Sequence, residues 1–212
     1  MSNPPIAQLN PWIRIWLHPR VTIRALVAST PLYQVLLLAA GSGVVQSMVQ
    51  GYSNHIGARF SGPTILLATI CIGGIWGLLQ LHLFASLLYL VGRWTGAPSP
   101  FTTLRTALAW AAIPQIVLLA FWMPATLIFG RFLYMPPGMV APRMPLALIA
   151  QGLLSLATLF CACWWLVLQV LTVAEVQGVS GWRALGHFVV AGLMVGVTAL
   201  LVVVVVIAFT HA

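Results

Sequence analysis

Glu175 is the only carboxylate in this chain, and neither aspartate nor lysine accompanies it. A lone acid near the end of an apolar stretch has two uses. It can neutralise a cation, or it can load and release a proton or cation on a path through the membrane. The helix carrying Glu175 ends within a few residues, so the negative pole of its dipole is close and the carboxylate needs a cationic partner. Arg183 is near in sequence, and Arg105 and Arg24 reach the same membrane face. A charge-assisted pair there would fix the turn between the fourth and fifth apolar stretches. His82 stands inside the second stretch, with Gln80 two residues before it and Ser86 a turn later. Gln46, Gln50, Gln115, Gln151 and Gln169 add polar groups to the first, third and fourth. A polar path through His82, Gln115 and Glu175 would suit proton or small-solute movement. The plainer reading is hydrogen-bonding between helices, at about 0.6 kcal/mol each on average.

Other chemistries fail on residue type. His82 and Ser86 lack an orienting acid and a nucleophile elbow. Cys161 and Cys163, two apart on a helix, point about 200° from each other and cannot hold one ion, and Cys71 belongs to another stretch. Without aspartate or lysine, and with one glutamate, no aspartyl dyad, lysine Schiff base, multi-carboxylate metal centre or HExxH site can be built. The chain reads as non-enzymatic, and neither cofactor nor metal is expected.

The elements that must position these residues are five apolar stretches, at about 32–49, 65–92, 104–129, 146–174 and 188–209. Hydrophobic residues make up 61% of the chain and mean hydropathy is +1.05, against roughly 45–50% apolar in soluble domains. Each stretch is near or above the ~20 residues needed to cross a hydrocarbon core. The expected fold is all-α: one domain, 1–212, forming a polytopic bundle of five transmembrane helices behind an amphipathic interfacial segment at 10–28. In that segment Trp12, Ile13, Trp16 and Leu17 read as one helical face, with Arg14 and His18 on another, Pro19 as a bend, and Arg20 and Arg24 on a second short piece. Trp12, Trp16, Arg14, Arg20 and Arg24 are therefore the expected lipid-interface residues. No cleavable signal is read, because arginines interrupt the first 30 residues.

Charge sets the orientation. Arg14, Arg20, Arg24, Arg93, Arg105 and Arg183 fall on the side of the N-terminus, whereas Arg59, Arg131 and Arg143 fall on the other. This favours an inside N-terminus and an outside C-terminus. With a net charge of +8 and no groove-reading motif, the expected partners are anionic lipid headgroups rather than nucleic acid. Gly73 with Gly77 and Gly192 with Gly196 give two GxxxG faces that predict close helix packing, against this chain, a second copy or another membrane protein. Ser99-Pro100 and Ser180 read as helix starts, Pro114 and Pro124 as kinks whose freed carbonyls Gln115 or Thr126 could satisfy, and the proline-rich run 135–145 as the longest outer loop.

Three blocks carry a resemblance. Asn10-Pro11-Trp12 with His18-Pro19-Arg20-Val21-Thr22-Ile23-Arg24, Ser99-Pro100-Phe101 leading to Ala107 and Ile113-Pro114, and Ala174 through Leu185 (AEVQGVSGWRAL) together resemble prokaryotic members of the Ypt-interacting-protein (Yip) family. The resemblance implies five membrane helices, a cytoplasmic N-terminus and an outward C-terminus, in the inner membrane for a prokaryotic member. Eukaryotic relatives act in vesicle traffic between endoplasmic reticulum and Golgi and associate with Rab-type GTPases, partly through a long N-terminal region. No such region is read here, and without aspartate their acidic motif has no counterpart, so the Rab role is not carried over. The functional expectation is a non-catalytic organiser of membrane lipid or partners. The alternative is a transporter or channel using His82, Gln80, Gln115 and Glu175.

Overall fold

The computed structural model describes residues 10–210, and all of its regular structure is helical. Two short helices come first. α1 (Pro11–Leu17) starts where the Asn10 side chain accepts the Trp12 amide at 3.1 Å with Pro11 in the first turn, and α2 (Pro19–Ser29) restarts the chain at Pro19, which cannot continue the α1 ladder. The long elements follow: α3 (Leu32–Ser53), α4 (Gly62–Trp94), α5 (Phe101–Ala111), α6 (Ile113–Phe129), the one-turn α7 (Pro137–Val140), α8 (Pro145–Gln177) and α9 (Gly181–Thr210). Five helices are long and apolar enough to cross a membrane. α4 and α8, at 33 residues each, exceed the expected spans at both ends.

The stretch expected as the third span, 104–129, departs from expectation most, and the length that could cross a membrane is Ile113–Tyr134. The expected stretch is two helices, broken at Ala112, where the amide turns to Ala109. Proline at 114 imposes this break, because a residue close before proline is pushed out of regular helical geometry and the proline itself donates nothing. The carbonyl freed by the break, that of Leu108, is taken by Gln169 of α8 at 3.3 Å rather than by Gln115, which instead accepts from Gln46 at 3.0 Å. Thr126 bonds the Trp122 carbonyl of its own helix. The start also shifts. α5 begins after Pro100, and the Ser99 hydroxyl caps nothing, being buried without a hydrogen-bond partner. α5 is the most enclosed element, with Leu104 and every residue from Thr106 to Ala111 buried.

The two GxxxG faces behave differently. Gly73 and Gly77 meet Gly43 of α3 backbone to backbone: a Cβ on Gly43 would lie 2.1 Å from the Gly73 carbonyl oxygen, and one on Gly77 would lie 2.1 Å from that of Ala39. Small residues permit this approach, and dispersion across the seam supplies the attraction that hydrocarbon does not. Gly192 and Gly196, expected to pack closely, have nothing within 4 Å among the described residues. α9 meets the bundle through Ala184, His187 and Ala191, and its remaining length stands apart.

The proline-rich run is a folded cap rather than an open loop. The 3-10 turn Gly130–Tyr134 and α7 bury Leu133, Tyr134, Met135 and Val140 over the bundle end remote from α1. Gln151 of α8, itself buried, donates its amide to the carbonyls of Phe132, Leu133 and Met135 at 3.2, 3.1 and 2.9 Å. The prolines stop the chain from helping itself, and one side chain supplies the missing donor.

Candidate functional site

The end of the bundle carrying α1 and α2 gathers most of the polar chemistry. Glu175 sits in the last turn of α8, which closes at Gly178 with φ 64°, the Val179 amide reaching the Ala174 carbonyl at 3.0 Å. This left-handed closure suits glycine and sends the chain directly into α9. The partner of Glu175 is Arg24 of α2: Arg24 Nε donates at 2.8 Å and Nη2 also reaches the same carboxylate oxygen. The pair therefore ties α2 to α8 and not, as the sequence suggested, the fourth span to the fifth through Arg183. Arg183 caps α4 instead, its Nη2 donating to the Thr95 carbonyl at 3.2 Å. Arg105 stacks over the Phe101 ring at 5.7 Å, and its Nε is buried without a hydrogen-bond partner.

Because the Arg24 side chain is 76% exposed and Glu175 is 16% exposed, solvent and salt screen the pair strongly. A double-mutant cycle over Arg24→Ala and Glu175→Gln, read from thermal midpoints, should return a coupling of roughly 0.2–1 kcal/mol, the range of exposed pairs. A coupling of several kcal/mol would show that the pair is shielded from solvent. Its role is alignment of α2 against α8.

Three residues that sequence reasoning passed over knit the same end. Gln177 Nε2 donates to the Leu88 carbonyl at 3.1 Å, which leaves Oε1 to accept from His187 Nδ1 at 2.7 Å, and His187 Nε2 lies 3.0 Å from Thr95 Oγ1. The signal was available: a glutamine and a histidine ten residues apart, either side of a tight turn, face each other when both flanking helices are antiparallel.

The expected lipid-interface residues divide. Ile15, unremarked in the sequence, is fully buried and Trp16 packs on the core beside it, whereas Trp12 meets Trp110 edge-on at 5.8 Å yet remains 42% exposed. Ile13 and Leu17, placed with the tryptophans by the sequence reading, face outward at 69% and 75% exposure. The bundle sets this choice, since the face with Trp12, Ile15 and Trp16 is the one that meets Trp110 and the core around it. Arg14 is half-buried, whereas Arg20 and Val21 are exposed. Around them at the same end stand exposed Arg93, Trp94, Trp182 and Arg183.

The polar-path residues do not converge. His82 Nδ1 is within 2.8 Å of the Leu78 carbonyl of its own helix and its ring lies against Phe101; Gln115 pairs with Gln46; Glu175 pairs with Arg24. A cavity of about 210 Å³ does open between α4 and α8, over a floor of α3 and α5, but its polar residues are Ser42, Gln46, Gln80 and Gln169. Of the polar residues that the sequence offered for a path, Gln46, Gln80 and Gln169 reach it, and His82, Gln115 and Glu175 do not. Among the described residues no three His, Cys, Asp or Glu side chains converge as a metal site.

The model of the Yip1 domain matches residues 13–207. The chain belongs to the Yip family. No curated protein and no solved structure matches it. With five apolar helices inside the Yip1 domain, the protein is an integral, multi-pass membrane protein. The blocks that carried the Yip resemblance are far apart in sequence and meet in space: α2 packs on α5 and α8, α5 packs on α8, and the 174–185 block supplies both Glu175 and the turn that leads into α9. Two of the three blocks meet in the Arg24–Glu175 pair, and the third contributes the buried α5 and its proline break.

Proposed function

We propose that this Yip-family protein is a non-catalytic membrane organiser whose α1–α2 end lies on the cytoplasmic side and gathers anionic lipid headgroups. One observation carries the reading: exposed arginine and exposed apolar or aromatic side chains coincide at that end, with Arg20, Arg93 and Arg183 beside Ile13, Leu17, Trp94 and Trp182. Tryptophan and arginine together favour the headgroup layer, and each basic residue near an anionic surface contributes about 1 kcal/mol. The cap end also has three exposed arginines, Arg59, Arg131 and Arg143, yet no tryptophan stands among them. Packing of α2 onto α5 and α8, with α1 against α2, holds the basic face in one orientation, so it offers headgroups a fixed pattern of charge.

The test is native mass spectrometry of the detergent-purified protein titrated with phosphatidylglycerol or phosphatidylcholine. Phosphatidylglycerol should bind preferentially. Arg20→Gln with Arg93→Gln should weaken that binding about tenfold or more, from two contributions of about 1 kcal/mol, and leave phosphatidylcholine unchanged. Equal binding of the two lipids, or no response to the double variant, would remove the proposal. Polar-path transport finds no support in the separate partners of His82, Gln115 and Glu175.

A further inference from the structure

The gap between α4 and α8 opens where α9 leaves the bundle. α9 packs on both of those helices near its start, where Ala184, His187 and Ala191 are buried and Phe188 reaches the lining of the gap. Beyond Val195 every described residue of α9 is exposed. The lining meanwhile holds a polar group that can be reached and has no partner. Gln80 stands near the middle of α4, is half-buried, and makes no side-chain hydrogen bond among the described residues. The Gln46 amide in the same lining is already given to Gln115. An unpaired carboxamide at this depth is costly, and lipid tails offer it neither donor nor acceptor.

α9 carries a complement. Between His187 and Thr210 its only polar side chain is Thr198. With about 100° between successive residues, Ala184, His187 and Ala191 span a sector of about 60°, and Thr198 falls inside that sector. The face that docks α9 therefore continues to Thr198, although the helix there stands clear of the bundle. Depth agrees with direction. Gln177 joins the Leu88 carbonyl to His187 Nδ1, and His187 Nε2 lies 3.0 Å from Thr95 Oγ1, so His187 is level with 88–95 of α4. α4 ends where α9 begins, so the two run antiparallel, and Thr198 comes level with roughly 77–84. Gln80 lies within that range. In the open position the Thr198 hydroxyl turns back on the Met194 carbonyl of its own helix, the fallback of a threonine with no other partner. Gly192 and Gly196, between the docked part and Thr198, have nothing within 4 Å among the described residues, and glycines are where a helix bends most readily.

We propose that α9 is a hinged lid over the gap between α4 and α8, open as described, and closed when the length beyond Ala191 swings in to set the Thr198 hydroxyl against the Gln80 amide. Closure gives Gln80 its partner and lays Val202 and Val205, which share the docking sector, on the apolar lining. It also shuts the gap from the bilayer. The hinge lies beyond the Gln177–His187–Thr95 chain that anchors the start of α9, so the lid works independently of the headgroup surface.

The test is a photo-crosslinking residue, p-benzoylphenylalanine, placed at Val202 of the full chain in lipid vesicles, with products mapped by peptide mass spectrometry. Val202 lies on the closing face and leaves both polar partners in place. Crosslinks should fall within the same chain, on roughly 73–84 of α4 and on α8 near Trp165. The same probe at Leu200, on the opposite face, should yield lipid adducts alone. Thr198→Val and Gln80→Leu should each lower the Val202 crosslink about threefold, which is what one average interhelical hydrogen bond supplies. Lipid adducts alone from Val202 would overturn the proposal. Crosslinks between two copies would overturn it as well, by making a second chain the cover of the gap. A yield unmoved by either polar variant would show that α9 lies there without the Thr198–Gln80 contact, and would overturn the closure as stated.

Discussion

Gly77→Ala should destabilise this protein by far more than a single added methyl does on an open helix face. The new Cβ would stand 2.1 Å from the Ala39 carbonyl oxygen and 2.9 Å from Gly43 Cα, both backbone atoms, so no rotamer change relieves the clash. α3 and α4 must separate along their seam, and the cost should meet or exceed the roughly 1–3 kcal/mol of an overpacked core. Gly43→Ala should behave alike, with Gly73 oxygen and Gly77 Cα in its way at 2.1 and 2.5 Å. The control lies in the same chain. Gly192→Ala and Gly196→Ala add the same methyl at the same spacing where nothing lies within 4 Å among the described residues, and should leave the melting temperature unchanged or slightly raised, since alanine is the better helix former. Tryptophan-fluorescence melting of all four in one detergent decides the matter. Equal midpoints for Gly77→Ala and Gly192→Ala would show that the α3–α4 seam is not closely packed.

Gln151→Leu carries the second large effect. One buried amide serves three carbonyls of the cap, at Phe132, Leu133 and Met135. An average interhelical hydrogen bond in a membrane contributes about 0.6 kcal/mol, because the unfolded reference also finds partners. This case differs, since proline-broken backbone has no helical partner to fall back on. Removing the donor should cost at least the roughly 1–3 kcal/mol of an unsatisfied buried polar group, and the loss should be local. Hydrogen exchange and limited proteolysis should show 130–144 opening while α3, α4 and α5 keep their protection. Protection of the cap unchanged in Gln151→Leu would mean that Leu133, Tyr134 and Val140 hold it by apolar burial alone.

The two effects share a cause that bears on the proposed activities. Both arise where backbone meets backbone or where backbone is left without its own ladder, and those places are rigid. The α3–α4 seam and the cap fix the far half of the bundle. The Gln177–His187–Thr95 chain and the packing of α2 on α5 and α8 hold the near half. The face proposed to gather headgroups is carried on that near half.

Much of the architecture was legible because lipid constrains it severely. A backbone crossing hydrocarbon must satisfy its own polar groups, so a long apolar run becomes a helix, and runs separated by Pro, Gly and Arg become successive spans. Class, number of spans and family followed from that and from three short blocks. Which arginine meets Glu175 did not, because Arg24, Arg105 and Arg183 all lie at the same end and only the packing of α2 into the α5–α8 groove brings the one most distant in sequence closest. Nor did the face of α1: Trp12, Ile13, Trp16 and Leu17 are equally apolar, and the choice between them was made by Trp110. GxxxG spacing was read twice and used once, since a small-residue face packs only if a second small face is opposite. Gly43 supplies one for α4, and none of the described residues supplies one for α9.

What the sequence determined by itself is the environment and the kind of polymer suited to it: a five-span Yip-family membrane protein, short of the carboxylates and amines that most active sites require. What only the tertiary structure decided is which of its few polar groups are satisfied. Periodicity fixes how a residue is placed on its own helix, whereas a hydrogen bond between helices depends on the rotation and depth of two helices at once. The break at Pro114 could be read from the sequence, but the capture of the Leu108 carbonyl by Gln169, and the oxygen it leaves unpaired, exists only once α5 and α8 are side by side.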